Sequence, residues 1–146
     1  MEELWADVKG YEGLYQISNF GNVKSLQREV AQGKYGHTRT VPTATLRPTD
    51  NGNGYLIVPL RRNGNRKNHY IHRLVAAHFI ENVNGCKYVN HKDYDTRNNR
   101  ADNLEWCTQS ANLIHSASRM KKPHKQWKVP ATKEKQAWFF RFRTFL

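Results

Sequence analysis

Two side chains stand where polar chemistry could be run. His91 ends a short run, Lys87-Tyr88-Val89-Asn90-His91, that reads as a strand. A polar loop from Lys92 to Arg100 precedes a second short strand, Leu104-Glu105-Trp106-Cys107. Thr108 then has the residue type of a helix N-cap, and the helix it opens is expected to run to about Ser118. Asn112 is the fourth residue past that cap, one turn into the helix, where its side chain can face back onto the strands. A strand, loop, strand, helix unit brings the His91 imidazole and the Asn112 amide oxygen to one point. The imidazole can take a proton from water, and the amide oxygen suits a hard divalent cation. Cleavage of a phosphodiester needs both: a base for the attacking water, and a cation to offset charge on the phosphorane and the leaving 3′ oxygen.

The elements that must position this pair lie upstream. Tyr11 to Ser18 leads through Asn19-Phe20-Gly21-Asn22 into Val23-Lys24-Ser25-Leu26, apolar alternation around an Asn/Gly turn that predicts a hairpin. Residues 29–45 have no clear period and are expected to form a mobile loop. A second hairpin is predicted from Tyr55 to Leu60 and from His69 to Ile71, with its turn at Asn63-Gly64-Asn65; Pro59 inside it predicts an edge position or a bulge. The helical spacing of Leu74, Val75, His78 and Phe79 predicts a helix over 72–80. His72 and His78 read as packing residues of that helix, although His72 sits at its start, where a phosphate could be met. Trp5, Tyr11, Tyr15 and Trp106 read as core, since a chain only 38% hydrophobic needs its aromatics inside. Beyond Lys121, Pro123 and Pro130 break the chain.

Charge points to the partner. The chain has 24 Lys and Arg against 12 Asp and Glu, a formal +12. Such an excess favours polyanions, because phosphate contacts release condensed counterions. The bases also segregate: 51–80 holds Arg61, Arg62, Arg66, Lys67 and Arg73 and no acid, and from Leu113 onward nine Lys and Arg face Glu134 alone. A two-stranded ribbon fits a major groove in width, so the hairpin with Arg61, Arg62, Arg66 and Lys67 is the candidate nucleic-acid-binding arm, joined by Arg73 on the following helix. No apolar run is long enough to span a membrane. The acidic start, Met1-Glu2-Glu3, lacks the order of a secretion signal, so a cytoplasmic protein is expected. Cys86 and Cys107 form no CxxC pair, which excludes a four-cysteine structural zinc site and leaves two reduced thiols as the expected state.

Three blocks of residues carry a resemblance. Val89-Asn90-His91-Lys92-Asp93, Asn98 to Trp106, and Thr108-Gln109-Ser110-Ala111-Asn112 resemble the HNH motif of phage and intron-encoded homing endonucleases. His72 to Phe79 resembles the helix that precedes it, and Trp5 to Val23 resembles the nuclease-associated module found ahead of it. The resemblance covers roughly residues 5–115. It implies an α+β fold: a small β-rich N-terminal module (1–50), a ββα-metal (His-Me finger) nuclease core (51–120) and a basic C-terminal tail (121–146). It implies a metal-dependent endonuclease on double-stranded DNA, with His91 as general base and one Mg²⁺ or Mn²⁺ held by Asn112 and Asn90. Where the family often has Asp, this chain has Asn90, which removes a negative charge and predicts weaker metal binding. Asn103 enters the same catalytic set with His91 and Asn112, bracing the loop together with Asn99, while Trp106 packs beneath it and Asp93 is an outer partner. The resemblance further implies 5′-phosphate and 3′-hydroxyl ends, nicking by a monomer, and a homodimer if both strands are cut. The rival expectation is a decayed nuclease that binds DNA without turnover.

Overall fold

A computed structural model describes residues 2–32 and 36–120. The expected basic tail, 121–146, lies outside the described residues. The first stretch forms strands β1 (Trp5–Asp7), β2 (Tyr15–Ser18) and β3 (Val23–Ser25), a ribbon of β4 (Arg28–Gln32) and β5 (His37–Val41), then β6 (Ala44–Leu46). β1, β2, β3 and β6 make one antiparallel sheet in that order. Its register sets Ala6, Ile17, Val23 and Leu46 in one row, and Ile17 and Val23 in that row are fully buried. The alternation read from the sequence is therefore this sheet's inward face.

The β4–β5 ribbon corrects the expectation of a loop over 29–45. Five registered pairs join its strands, from Arg28↔Val41 to Gln32↔His37. Val30, Thr38, Thr40 and Val41 are β-branched and favour extended backbone. The ribbon stands apart as its own two-stranded sheet, and β5 is exposed along all but Val41. With no buried face there is no hydrophobic period to read.

A second sheet follows, ordered β7 (Thr49–Asp50), β8 (Leu56–Arg62), β9 (Asn65–Tyr70). The β8–β9 turn is the two residues Asn63 and Gly64, at φ 51° and 79°. Both lie in the left-handed region that an Asn-Gly hairpin turn requires. β7 pairs only as far as Ile57, so Pro59 meets a strand on one side alone, which makes it a local edge within a middle strand. Helix α1 (Ile71–Phe79) begins one residue after β9, so Ile71 opens the helix instead of ending the hairpin. Strands β10 (Tyr88–His91) and β11 (Leu104–Cys107) pair antiparallel, with a 3-10 turn at Ala101–Asn103 between them, and helix α2 (Gln109–Met120) follows. The chain divides into two compact units, Met1–Asn112 and Leu113–Leu146.

One core serves the whole first unit. Val8, Tyr15, Ile17 and Val23 from the first sheet meet Val58 and Leu60 from β8, Ile71, Leu74 and Val75 from α1, and Leu104 from β11. Each such side chain contributes about 1.5–3 kcal/mol by leaving water. His78 adds a polar tie: its Nδ1–H bonds the Leu74 carbonyl at 2.7 Å and its Nε2 accepts from Lys9 N–H at 3.0 Å. These two bonds together require the neutral ring.

The turn between β2 and β3 leans on the segment before β11. Asn19 O accepts from Ala101 N–H at 2.8 Å, and the Arg100 guanidinium lies over the Phe20 ring at 4.4 Å. Gly21, at φ 87°, sits so close that a Cβ would stand 3.0 Å from Asn99 Cβ and 3.3 Å from Ile71 Cγ2. Gly21→Ala should lower stability by roughly 1–2 kcal/mol for the left-handed backbone and about 1–3 kcal/mol more for the crowding. Gly13→Ala, with φ 71° and open space around it, should show only the first loss. Urea unfolding of the two variants checks this, and equal losses would show that the Asn99 contact carries no weight.

Candidate active site

β10 and β11 set the polar residues by register. Asn90 faces Glu105 across the pair and His91 faces Leu104. Both residues are buried, at 8% and 4% exposure. Beyond His91 the chain turns through Lys92 and Asp93, and Tyr94 takes φ 65°, an uncommon conformation for a side chain of that size. Asn103 holds this turn together. Its Nδ2 donates to Asp93 Oδ1 at 2.9 Å and to Asn98 O at 2.8 Å, and its Oδ1 accepts from Asp93 N–H at 3.1 Å. Asp93 also accepts from Asn98 Nδ2 at 2.7 Å and from Asp95 N–H at 2.9 Å. These donors, the Asn98 amide foremost, hold the Asp93 carboxyl below its ordinary range.

The decisive contact is one the sequence did not single out. His91 Nε2 lies 3.1 Å from Asn99 Oδ1, in a buried bond. Asn99 Nδ2 donates to Arg97 O at 3.2 Å, which leaves Oδ1 as the atom facing the ring. An oxygen can only accept, so His91 donates from Nε2, and in the neutral ring the lone pair then lies at Nδ1. An amide fixed in this way determines both the tautomer and the orientation of the imidazole. Sequence reasoning gave Asn99 only a bracing role, because a side-chain contact across an irregular loop leaves no periodic trace.

Asn112 enters from α2, whose first turn Thr108 caps: its hydroxyl accepts from Ala111 N–H at 3.2 Å. Asn112 lines a cleft of about 250 Å³ together with Tyr88, Val89, Tyr55, His72 and Arg73. The His72 ring bridges from this cleft to His91, with centroids 5.2 Å apart. Burial first, then the charges of His91 and Arg73, push the His72 pKa down to about 3. Trp106 points elsewhere, its indole N–H bonding Ile80 O at 3.0 Å at the end of α1.

Asn90 and Asn112 offer amide oxygens, the donor type of a hard cation, but Asn112 lines the cleft and Asn90 is not among its walls. Asn90 Nδ2 donates to Glu105 Oε1 at 3.2 Å, which turns its Oδ1 away from that carboxylate. Amide oxygens with water and phosphate oxygens make an Mg²⁺ or Mn²⁺ site, whereas zinc prefers nitrogen and sulfur. Among the described residues no three His, Cys, Asp or Glu side chains cluster around a metal position. Cys86 and Cys107 are free thiols.

The basic candidates separate into two places. Arg61, Arg62, Arg66 and Lys67 occupy the exposed end of β8–β9, while Arg73 stands on α1 with its guanidinium 5.9 Å from the Tyr70 ring. Arg61 is the direct cross-strand partner of Arg66. Arg62 bonds the Gly10 carbonyl and reaches Glu12 at 4.0 Å. Among the described residues no carboxylate pairs with Arg61, Arg66 or Lys67.

Family models match in two places, the NUMOD4 motif over residues 3–61 and the HNH endonuclease over residues 69–114. The DNA endonuclease I-HmuI of Bacillus phage SP01 is 39% identical over 115 residues, which is 79% of this chain and 58% of that protein. An uncharacterized HNH endonuclease of Acanthamoeba polyphaga mimivirus is 49% identical over 70 residues, 48% of this chain and 21% of its own length. The chain therefore spans little more than half of the phage relative and about a fifth of the viral one. A solved structure of DNA binding and cleavage by the HNH homing endonuclease I-HmuI superposes with a TM-score of 0.65 at 33% identity, covering 99% of this chain and 68% of that one. Two matched motifs in the same order, on a shared fold that includes the β-rich N-terminal region, leave one conclusion: the chain belongs to the HNH homing endonuclease family.

Proposed function

We propose that this chain hydrolyses phosphodiester bonds of double-stranded DNA, with His91 as the general base and one divalent cation held by Asn90 and Asn112. One observation carries it: the bond from His91 Nε2–H to Asn99 Oδ1, which orients a buried ring so that its neutral form accepts at Nδ1. His91 takes the proton of a water at Nδ1, the water oxygen attacks phosphorus, and the bond to the 3′ oxygen breaks; that oxygen takes a proton from solvent water, giving 5′-phosphate and 3′-hydroxyl ends. The Asn99 bond is a donor bond from the ring both before and after that transfer, so the imidazolium forms without rearrangement. A cation bound at Asn90 and Asn112 would offset charge on the phosphorane and on the leaving oxygen. Asn103 acts in this scheme at one remove, by holding the turn that follows His91.

The relative's recorded action on DNA and the unneutralised bases of β8–β9 favour DNA as substrate. Like charges opposed across strands, as in Arg61↔Arg66, destabilise a hairpin unless an anion sits between them. A phosphate backbone supplies that anion. Arg62 and Lys67 extend the same surface, while Arg73 lines the cleft on α1, within a nuclease core at 51–120 preceded by the module at 1–50. A single site per chain cuts one strand at a time, so a monomer nicks, and a double-strand break needs a homodimer or two successive cuts.

On supercoiled plasmid with Mg²⁺ or Mn²⁺, the protein should convert circles to the nicked form, EDTA should stop it, and His91→Ala should lower the rate by at least about 10²-fold. Salt-sensitive DNA binding without cleavage under any metal would instead identify a DNA-binding protein that has lost turnover. Asn90→Asp tests the metal position without measuring cleavage. It sets two carboxylates opposite each other, Asp at 90 and Glu105, so Tm should fall in EDTA and recover with Mg²⁺. The half-saturating Mg²⁺ should drop about tenfold, close to 1.4 kcal/mol. A Tm response to Mg²⁺ equal to that of the wild type would place the cation elsewhere.

A further inference from the structure

His72 is poorly explained as packing. Its ring is 5% exposed and touches three others, with centroids 5.2 Å from Tyr55, 5.5 Å from Tyr70 and 5.2 Å from His91. Its Nδ1 is enclosed and has no hydrogen-bond partner. An apolar ring would fill this space without stranding a polar atom, so a histidine here must be useful for something other than filling. The stranded atom also selects the tautomer. A buried N–H without an acceptor is rarer and costlier than a buried lone pair, so the proton resides on Nε2. Nδ1 is enclosed while the residue as a whole lines the cleft that Asn112 closes, so Nε2–H is the edge available to a ligand.

The surroundings specify an anion. His72 is the second residue of α1, a nine-residue helix with no acidic residue in its first turn and no side-chain cap on its N-terminal amides. The positive end of the helix is thus left open, and Arg73 lines the same cleft. We propose that His72 is a second catalytic residue, donating Nε2–H to a non-bridging oxygen of the phosphodiester that enters this cleft. This rests on the reading of the chain as a phosphodiesterase and adds to it the group that contacts the phosphate. Burial keeps the ring neutral, and neutrality matters at this position. A second imidazolium 5.2 Å away would oppose the charge that His91 gains on taking a proton, whereas a neutral N–H stabilises phosphate charge without that opposition.

His72→Phe keeps the ring and removes the donor; His72→Gln keeps an N–H near the Nε2 position. The plasmid assay should show His72→Phe slower by on the order of 10- to 100-fold, the cost of losing one donor to a charged oxygen, with duplex affinity within about threefold of wild type and Tm not lowered. His72→Gln should regain part of the rate. Independently of cleavage, nitrogen NMR of the full chain should find His72 protonated at Nε2, and a short duplex added with Ca²⁺ should shift that nitrogen. Wild-type nicking by His72→Phe, or a ring protonated at Nδ1 that ignores the duplex, overturns the proposal. If His72→Phe does not fold, His72→Gln and the NMR result decide. The two ideas fail separately. Normal nicking by His91→Ala would remove the base assignment and leave His72 standing. If the wild type cuts nothing, the nitrogen response to duplex alone decides whether His72 meets phosphate.

Discussion

A histidine can accept a proton only at the nitrogen that lacks one, and in this chain a single amide makes that choice. The bond between His91 Nε2 and Asn99 Oδ1 fixes which face of the ring is basic and where it points. Most of the local architecture bears on it. β10 and β11 place His91 at the end of a registered pair, and the Arg97 carbonyl fixes the orientation of Asn99. Asn103 gathers Asp93 and Asn98 so that the loop between the two residues keeps its length and course. Thr96 and Arg97 tether the same loop to the β7–β8 connection, through Gly54 O at 2.8 Å and Asp50 at 3.1 Å. A buried hydrogen bond gains strength from its low-dielectric surroundings, but only if the loop that supplies the acceptor has no alternative position.

Electrostatics divides the molecule into a neutral centre and a charged margin. Around His91 the polar groups are amides and a histidine that burial holds uncharged, and the carboxylate of Asp93 is engaged by three donors. Positive charge is concentrated instead at the β8–β9 turn, where arginine faces arginine across the strands. Folding tolerates the arginine pair because the inner part of the same hairpin buries Val58 and Leu60 completely.

Much of this was legible in the residues. Strands with one buried face, such as Tyr15 to Ser18, announce themselves by alternation, and Asn63-Gly64 announces its turn because few other dipeptides adopt two left-handed conformations in succession. Thr108 marked the start of α2 for an equally local reason. The β4–β5 ribbon was illegible because neither strand has a fully buried face, so no hydrophobic period marks its backbone pairing. Asn99 and His72 were legible only in part: the sequence offered a brace at Asn99 and a helix start open to phosphate at His72, but not the contact each makes. What matters about each is a partner brought close by the tertiary fold, and no local spacing encodes that. Asn90 and Asn112 fell between these cases: their positions followed from strand and helix, whereas the Glu105 carboxylate that turns the Asn90 amide became visible only through cross-strand register.

The turn between β2 and β3 changes what counts as the smallest working piece of this protein. Gly21 touches the Cβ-bearing face of Asn99, and Asn19 bonds the backbone at Ala101, so residues from the N-terminal stretch clamp the segment that determines the tautomer of His91. The nuclease motif at 69–114 is therefore not a transplantable cartridge. Grafted alone onto an unrelated scaffold, it would keep its histidine and asparagines but lose the clamp on the segment that orients His91. Any chimera must carry the β2–β3 corner along with the motif, and recombination between relatives should favour break points that keep the two together.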